Sequence, residues 1–91
     1  MPATHHLKTW PAFFDAVERG DKTFEVRKND RAFQAGDTLM LEFYDPASPP
    51  GPLHQNHRPT LCRRVTFVLP GGEFGIEPGY VVMGLAEVEQ Q

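Results

Sequence analysis

The stretch Gly20-Asp21-Lys22-Thr23-Phe24-Glu25-Val26-Arg27-Lys28-Asn29-Asp30-Arg31-Ala32-Phe33-Gln34-Ala35-Gly36-Asp37 holds the densest polar chemistry of the chain. Residues Thr23 to Lys28 alternate with the period of a β-strand: Phe24 and Val26 point one way, Thr23, Glu25 and Arg27 the other. Asn29-Asp30 breaks the strand, and Gly36-Asp37 makes a further turn. With apolar residues placed inward, Phe24 and Val26 supply core. Glu25 and Arg27, about 7 Å apart along the strand, then share the opposite face, with Lys22 at its mouth and Arg31 in the next turn. The plainest account of that face is a solvated surface with a weak ion pair. A small closed sheet leaves few ways to waste a charged face, which weighs against that account.

On the N-terminal side, a short run around His5-His6-Leu7-Lys8 is long enough for one brief strand. Trp10-Pro11 then opens a helix: proline suits the first turn, and Trp10, Phe13, Phe14 and Val17 recur at i, i+3, i+4 and i+7. Gly20 is placed to end it. That aromatic stripe reads as core packing. On the C-terminal side, Thr38 to Tyr44 is a second clear strand with Leu39, Leu41 and Phe43 on one face. A proline-rich loop covers residues 45–60, long for so small a domain. Leu61 to Leu69 resumes β-structure, with Leu61, Val65, Phe67 and Leu69 sharing a face. A last strand, about Tyr80 to Val88, is apolar enough early on to be buried on both sides. The tail 89–91 is expected to fray. The order β-α-β-β-β-β predicts one α+β, mostly β domain over residues 1–91: a strongly bent sheet or barrel of five to six strands with one helix near the N-terminus.

Ninety-one residues leave room for one core. The apolar fraction of 40% and seven Phe argue against disorder. No stretch approaches the ~18 apolar residues of a membrane span, and no secretory leader is predicted. A lone Cys62 cannot form an intrachain disulfide, which points to a reducing cytoplasm. The net charge of −3 excludes a global cationic field, so any phosphate contact must come from a local patch.

The sequence resembles the ASCH family of the PUA-like superfamily, and within it a short stand-alone branch of bacterial and phage proteins. The resemblance rests on His5-x-Leu7-Lys8, Phe13-Phe14, and Gly20-x-Lys22-Thr23-Phe24-Glu25-Val26-Arg27-Lys28-Asn29-Asp30-Arg31-x-Phe33. It continues through Gly36-Asp37, Arg64-Val65-Thr66 and Pro78-Gly79-Tyr80-Val81-Val82-Met83, and so covers nearly everything but the proline-rich loop. It implies a PUA-like β-barrel with a cleft between barrel and helix that receives RNA, a nucleotide or a modified nucleoside. On this reading Lys22, Glu25 and Arg27 project into the cleft, joined by His5, Lys8, Lys28, Arg31 and Arg64. Arginine forks onto phosphate or a base edge, lysine supplies a point charge, and glutamate accepts from an exocyclic amine. Trp10, Phe33 and Tyr44 are the candidate stacking surfaces, although each is also an ordinary core type.

Some small members of that family are amidohydrolases acting on N4-acylated cytidine, using a Lys in the Gly-x-Lys turn, a Thr on the following strand and a Glu from a later strand. Lys22 matches the first position. Glu25 occupies the second, and the third falls near Arg63 or Arg64, so two of the three positions depart from the pattern. Lys22 beside Glu25 in a partly desolvated cleft remains a candidate proton-transfer pair, for a nucleoside hydrolase or a ribonuclease. A protein-interaction module is a third possibility. Of the remaining motifs, His54-x-x-His57 with Cys62 lacks the paired spacing of a zinc site, so neither a metal nor a cofactor is expected. Pro46-x-x-Pro49 reads as a solvated loop rather than a partner's ligand.

Overall fold

The structure, a computed structural model, describes residues 2–47 and 58–88. Most of the proline-rich loop, His54 and His57 with it, and the tail at 89–91 lie outside the described residues. Element order follows the sequence reading: β1 (Thr4–Thr9), α1 (Pro11–Arg19), β2 (Phe24–Lys28), β3 (Thr38–Phe43), β4 (Leu61–Pro70) and β5 (Tyr80–Glu87). The strands make one sheet in the order β1-β3-β4-β5-β2, curled into a half-barrel beside α1, the single short helix among the described residues. The fold is therefore a small, mostly β, α+β fold. Among the described residues no helix is long and apolar enough to cross a membrane.

Two pairings set the shape. β1 runs parallel to β3, Leu7 opposite Leu41, so the chain passes through α1 and β2 before returning beside its own first strand. β2 instead joins the far edge, antiparallel to β5 with Glu25 opposite Met83. The ends of the open sheet, β1 and β2, are thus linked by side chains rather than by a ladder. Arg27 on β2 donates from Nη2 to the Lys8 carbonyl at 3.0 Å, and Arg31 donates from Nη1 to the His6 carbonyl at 2.8 Å. Edge strands carry unpaired backbone groups that must find partners; here guanidinium groups satisfy two of them.

The concave face carries the core, which includes Leu7, Leu39, Leu41, Val65, Val81, Met83 and Leu85. Phe14 and Val17 of α1 are buried as well, while Trp10 and Phe13 of the same stripe are exposed. The stripe is therefore only half core. Gly20 ends the helix in the left-handed conformation (φ 86°) and donates its N–H to Val17 O and Ala16 O. Asp21 and Lys22 also donate to Ala16 O, at 2.9 and 3.0 Å, folding the chain back under the helix end.

Three expectations about faces are corrected. Phe24 and Val26 do not supply core: they are 45% and 51% exposed, whereas Glu25 is 3% exposed. Register explains this, because Glu25 and Arg27 stand opposite the inward Met83 and Val81, while Phe24 and Val26 stand opposite Gly84 and Val82. Alternation defines two faces but not which one turns inward, and Glu25 is held inside by two cations. In β4 a bulge between Val65 and Phe67 shifts the register, so Val65 is buried and Phe67 is 64% exposed. On β5 only alternate residues, Val81, Met83 and Leu85, are buried; Tyr80 and Val82 are half-buried, so the strand is not enclosed on both faces. Gly84 sits beneath that bulge. A Cβ there would come within 2.8 Å of Thr66 Oγ1, so the close approach needs glycine.

Candidate functional site

A hollow of about 550 Å³ lies where α1 meets the open end of the sheet, beside the β1–β2 gap. Each wall has a local cause. Pro11 starts the helix immediately after β1, placing Trp10 and Phe13 on the rim, where their near-parallel rings lie 6.4 Å apart at 13°. The turn at Gly20 delivers Lys22, and β2 delivers Phe24, Glu25, Val26 and Arg27. From β1 come Lys8 and Thr9.

Glu25 organises the floor. Lys22 Nζ donates to its Oε1, and Arg27 Nε donates to its Oε2 at 2.9 Å. Lys22 also donates to the Phe24 carbonyl at 2.7 Å, and its ammonium stands over the rings of Phe24 (4.9 Å) and Phe13 (5.7 Å). Arg27 reaches Thr9 Oγ1 at 3.3 Å as well as the Lys8 carbonyl. A buried carboxylate paired only through exposed groups would be costly; two charge-assisted partners make it tenable. With Lys8, the hollow holds three cations against one carboxylate, a local positive excess on an acidic chain.

Of the residues expected at the site, Lys8, Trp10, Lys22, Glu25 and Arg27 line this hollow. Tyr44 adjoins it through Lys8, whose Nζ lies 5.0 Å from the ring centre. The others are not among its lining. Phe33 is a buried core residue, packed edge-on against the His5 ring at 4.7 Å. His5 itself is bonded to Asp37, Nε2 to Oδ2 at 2.9 Å. Lys28 is exposed beyond the mouth, and Arg31 serves the β1 edge. Arg64 stands on the convex face, opposite Thr38 and Ala86. Four lining residues were outside the sequence expectation: Thr9, Phe13, Phe24 and Val26. Phe13 was detectable as the helix residue next to Trp10 on the stripe; Phe24 and Val26 read as core, and Thr9 left no distinguishing signal.

Asp37 is a second buried acid missed by sequence reasoning, its signal being only the Gly36-Asp37 turn. It accepts from Ala3 N–H (2.9 Å), Gln34 N–H (3.0 Å) and His5. Burial alone pushes its carboxyl up. The hydrogen bonds from Ala3, His5 and Gln34 and the charge of His5 outweigh that, so it lies below the ordinary carboxylate value. Among the described residues no group of three or more His, Cys, Asp or Glu side chains is placed to hold a metal.

A family model described as "Domain of unknown function (DUF3850)" matches residues 4–85, from the first residue of β1 to Leu85 on β5. The chain belongs to this family. The DUF3850 match encloses every residue that lines the hollow. The chain is also 44% identical over 41 residues to a protein of Escherichia phage P2 named "Uncharacterized 12.9 kDa protein in GpA 3'region". That similarity spans 45% of this chain and 38% of the phage protein.

Proposed function

We propose that the hollow between α1 and β2 binds a nucleobase together with its phosphate, as a free nucleotide or within single-stranded RNA. One observation carries the reading: the exposed, near-parallel rings of Trp10 and Phe13 stand beside Lys8, Lys22 and Arg27 in one hollow. A base stacks on aromatic carbon while lysine and arginine take its phosphate, the pairing that recognition of single strands requires. The resemblance to ASCH proteins supports the same reading, and the lone Cys62 supports a cytoplasmic site of action.

The test is binding of a short uridine-rich RNA to wild type, Trp10→Ala and Lys8→Ala at two salt concentrations. Loss of Trp10 is expected to cost about 1–3 kcal/mol, and loss of Lys8 to weaken binding and flatten its salt dependence. Equal affinity for all three proteins would falsify the proposal.

The direct contact of Lys22 Nζ with buried Glu25 favours a second reading, a hydrolase in which this pair moves a proton in a bound nucleoside or RNA. Incubation with N4-acetylcytidine and with end-labelled RNA distinguishes it: turnover abolished by Lys22→Ala supports hydrolysis, and intact substrates leave binding alone.

A further inference from the structure

A second hollow, of about 320 Å³, opens at the C-terminal end of α1, and Lys22 belongs to the wall of both. The two therefore adjoin through the segment Lys22-Thr23-Phe24. Their chemistry differs. The first is walled by Trp10, Phe13, Phe24 and Val26. The second is lined by Arg19, Thr23, Arg63 and Glu87 over a floor of buried Val17 and Leu85, with Glu18 at its side.

That second set of groups suits hydroxyls better than phosphate. Arg63 is already spent on carbonyl oxygens, donating to Cys62 O at 2.9 Å and Val17 O at 3.3 Å. Arg19 is paired with Asp21 at 2.9 Å, and Glu18 accepts from Arg58. The carbonyl end of the helix adds negative character that repels an anion. What the site offers is acceptance by Glu87, at the exposed end of β5, and donation from the exposed Arg19 head, whose pairing with Asp21 is through Nε. A ribose, whose hydroxyls both donate and accept, matches that mixture. Lys22 lies between the hollows. Its ammonium has three N–H donors, of which Glu25 and the Phe24 carbonyl take two. The third remains for a bridging phosphodiester.

Resting on the nucleotide reading above, we infer that the two hollows form one path for a ribonucleotide chain of at least two units: a base on the aromatic rim, the connecting phosphodiester at Lys22, and the neighbouring ribose in the polar hollow. The site then distinguishes RNA from DNA through a 2′-hydroxyl accepted by Glu87.

The experiment is titration calorimetry with three probes of equal charge: the methyl ester of uridine 3′-monophosphate, UpU, and its all-deoxy counterpart. Wild type is expected to bind UpU about three- to tenfold tighter than either comparator, the worth of one or two added hydrogen bonds. Glu87→Ala and Arg19→Ala, both at exposed positions, should reduce UpU to the level of the methyl ester and leave the ester's affinity unchanged. UpU bound no tighter than either comparator, or an advantage that survives in both variants, overturns the two-hollow path while the aromatic site stands. No binding of any probe overturns the path and the nucleotide reading together.

Discussion

Glu25 and Asp37 are both 3% exposed, yet the molecule uses these two buried acids in opposite ways. Asp37 is held by two backbone N–H groups and a half-buried histidine and lines neither hollow; it ties the start of β1 to the 34–37 turn. Glu25 is held by the heads of two long side chains that also face a hollow. Backbone partners cannot leave without unfolding something, whereas on the proposed reading Lys22 and Arg27 exchange a contact for a ligand. A buried acid is thus a staple or a working part according to what holds it.

The contrast is most exposed to refutation at Asp37. Asp37→Ala leaves two N–H groups and His5 without their acceptor and is expected to cost about 3 kcal/mol in urea unfolding, with nucleotide affinity unchanged. Trp10→Ala should do the reverse, weakening binding by about 1–3 kcal/mol while moving the unfolding midpoint little, since the ring is largely exposed. Glu25→Gln lies between the two. It removes a charge that two cations rely on, costing about 1–2 kcal/mol of stability, and it should raise affinity for anionic nucleotides by unmasking those cations.

Acid sharpens the comparison. The folded Asp37 carboxyl lies below its unfolded value, so its stabilisation is fully present above the unfolded value, near 3.8. It is lost as pH falls through the folded value. Wild type should lose stability through that window, and Asp37→Asn should show a flatter dependence there in pH-dependent denaturation. The smallest effect is expected at Phe67, which the β4 bulge turns outward: Phe67→Ser should alter stability by no more than about 0.5 kcal/mol.

Local signals were legible and non-local ones were not. Pro11, the stripe through Phe14 and Val17, and Gly20 bound the helix within the chain's own first neighbours, and period-two alternation located the strands. That β1 pairs with β3 while β2 crosses to the opposite edge depends on contacts between distant segments, which no local period encodes. The inward face of β2 followed the same logic: Phe24 and Val26 look like core until Lys22 and Arg27 are known to meet Glu25. The bulge after Val65 misplaced Phe67 for a related reason, since an extra residue leaves no mark on hydropathy. At the site, residue type together with the family resemblance pointed to Lys8, Trp10, Lys22, Glu25 and Arg27. It could not separate them from Phe33, Lys28, Arg31 or Arg64, whose positions are set by turns and register.

The unladdered gap between β1 and β2 leaves the radius of the sheet unset by backbone pairing along one line. In a fully closed barrel the circumference is fixed by strand number and stagger. Here Arg27 and Arg31 act as tie-rods across one line, and Arg27 also faces the hollow. On the proposed reading, whatever an incoming anion takes from Arg27 is taken from the ties that span this gap, so occupancy and curvature would be mechanically one variable.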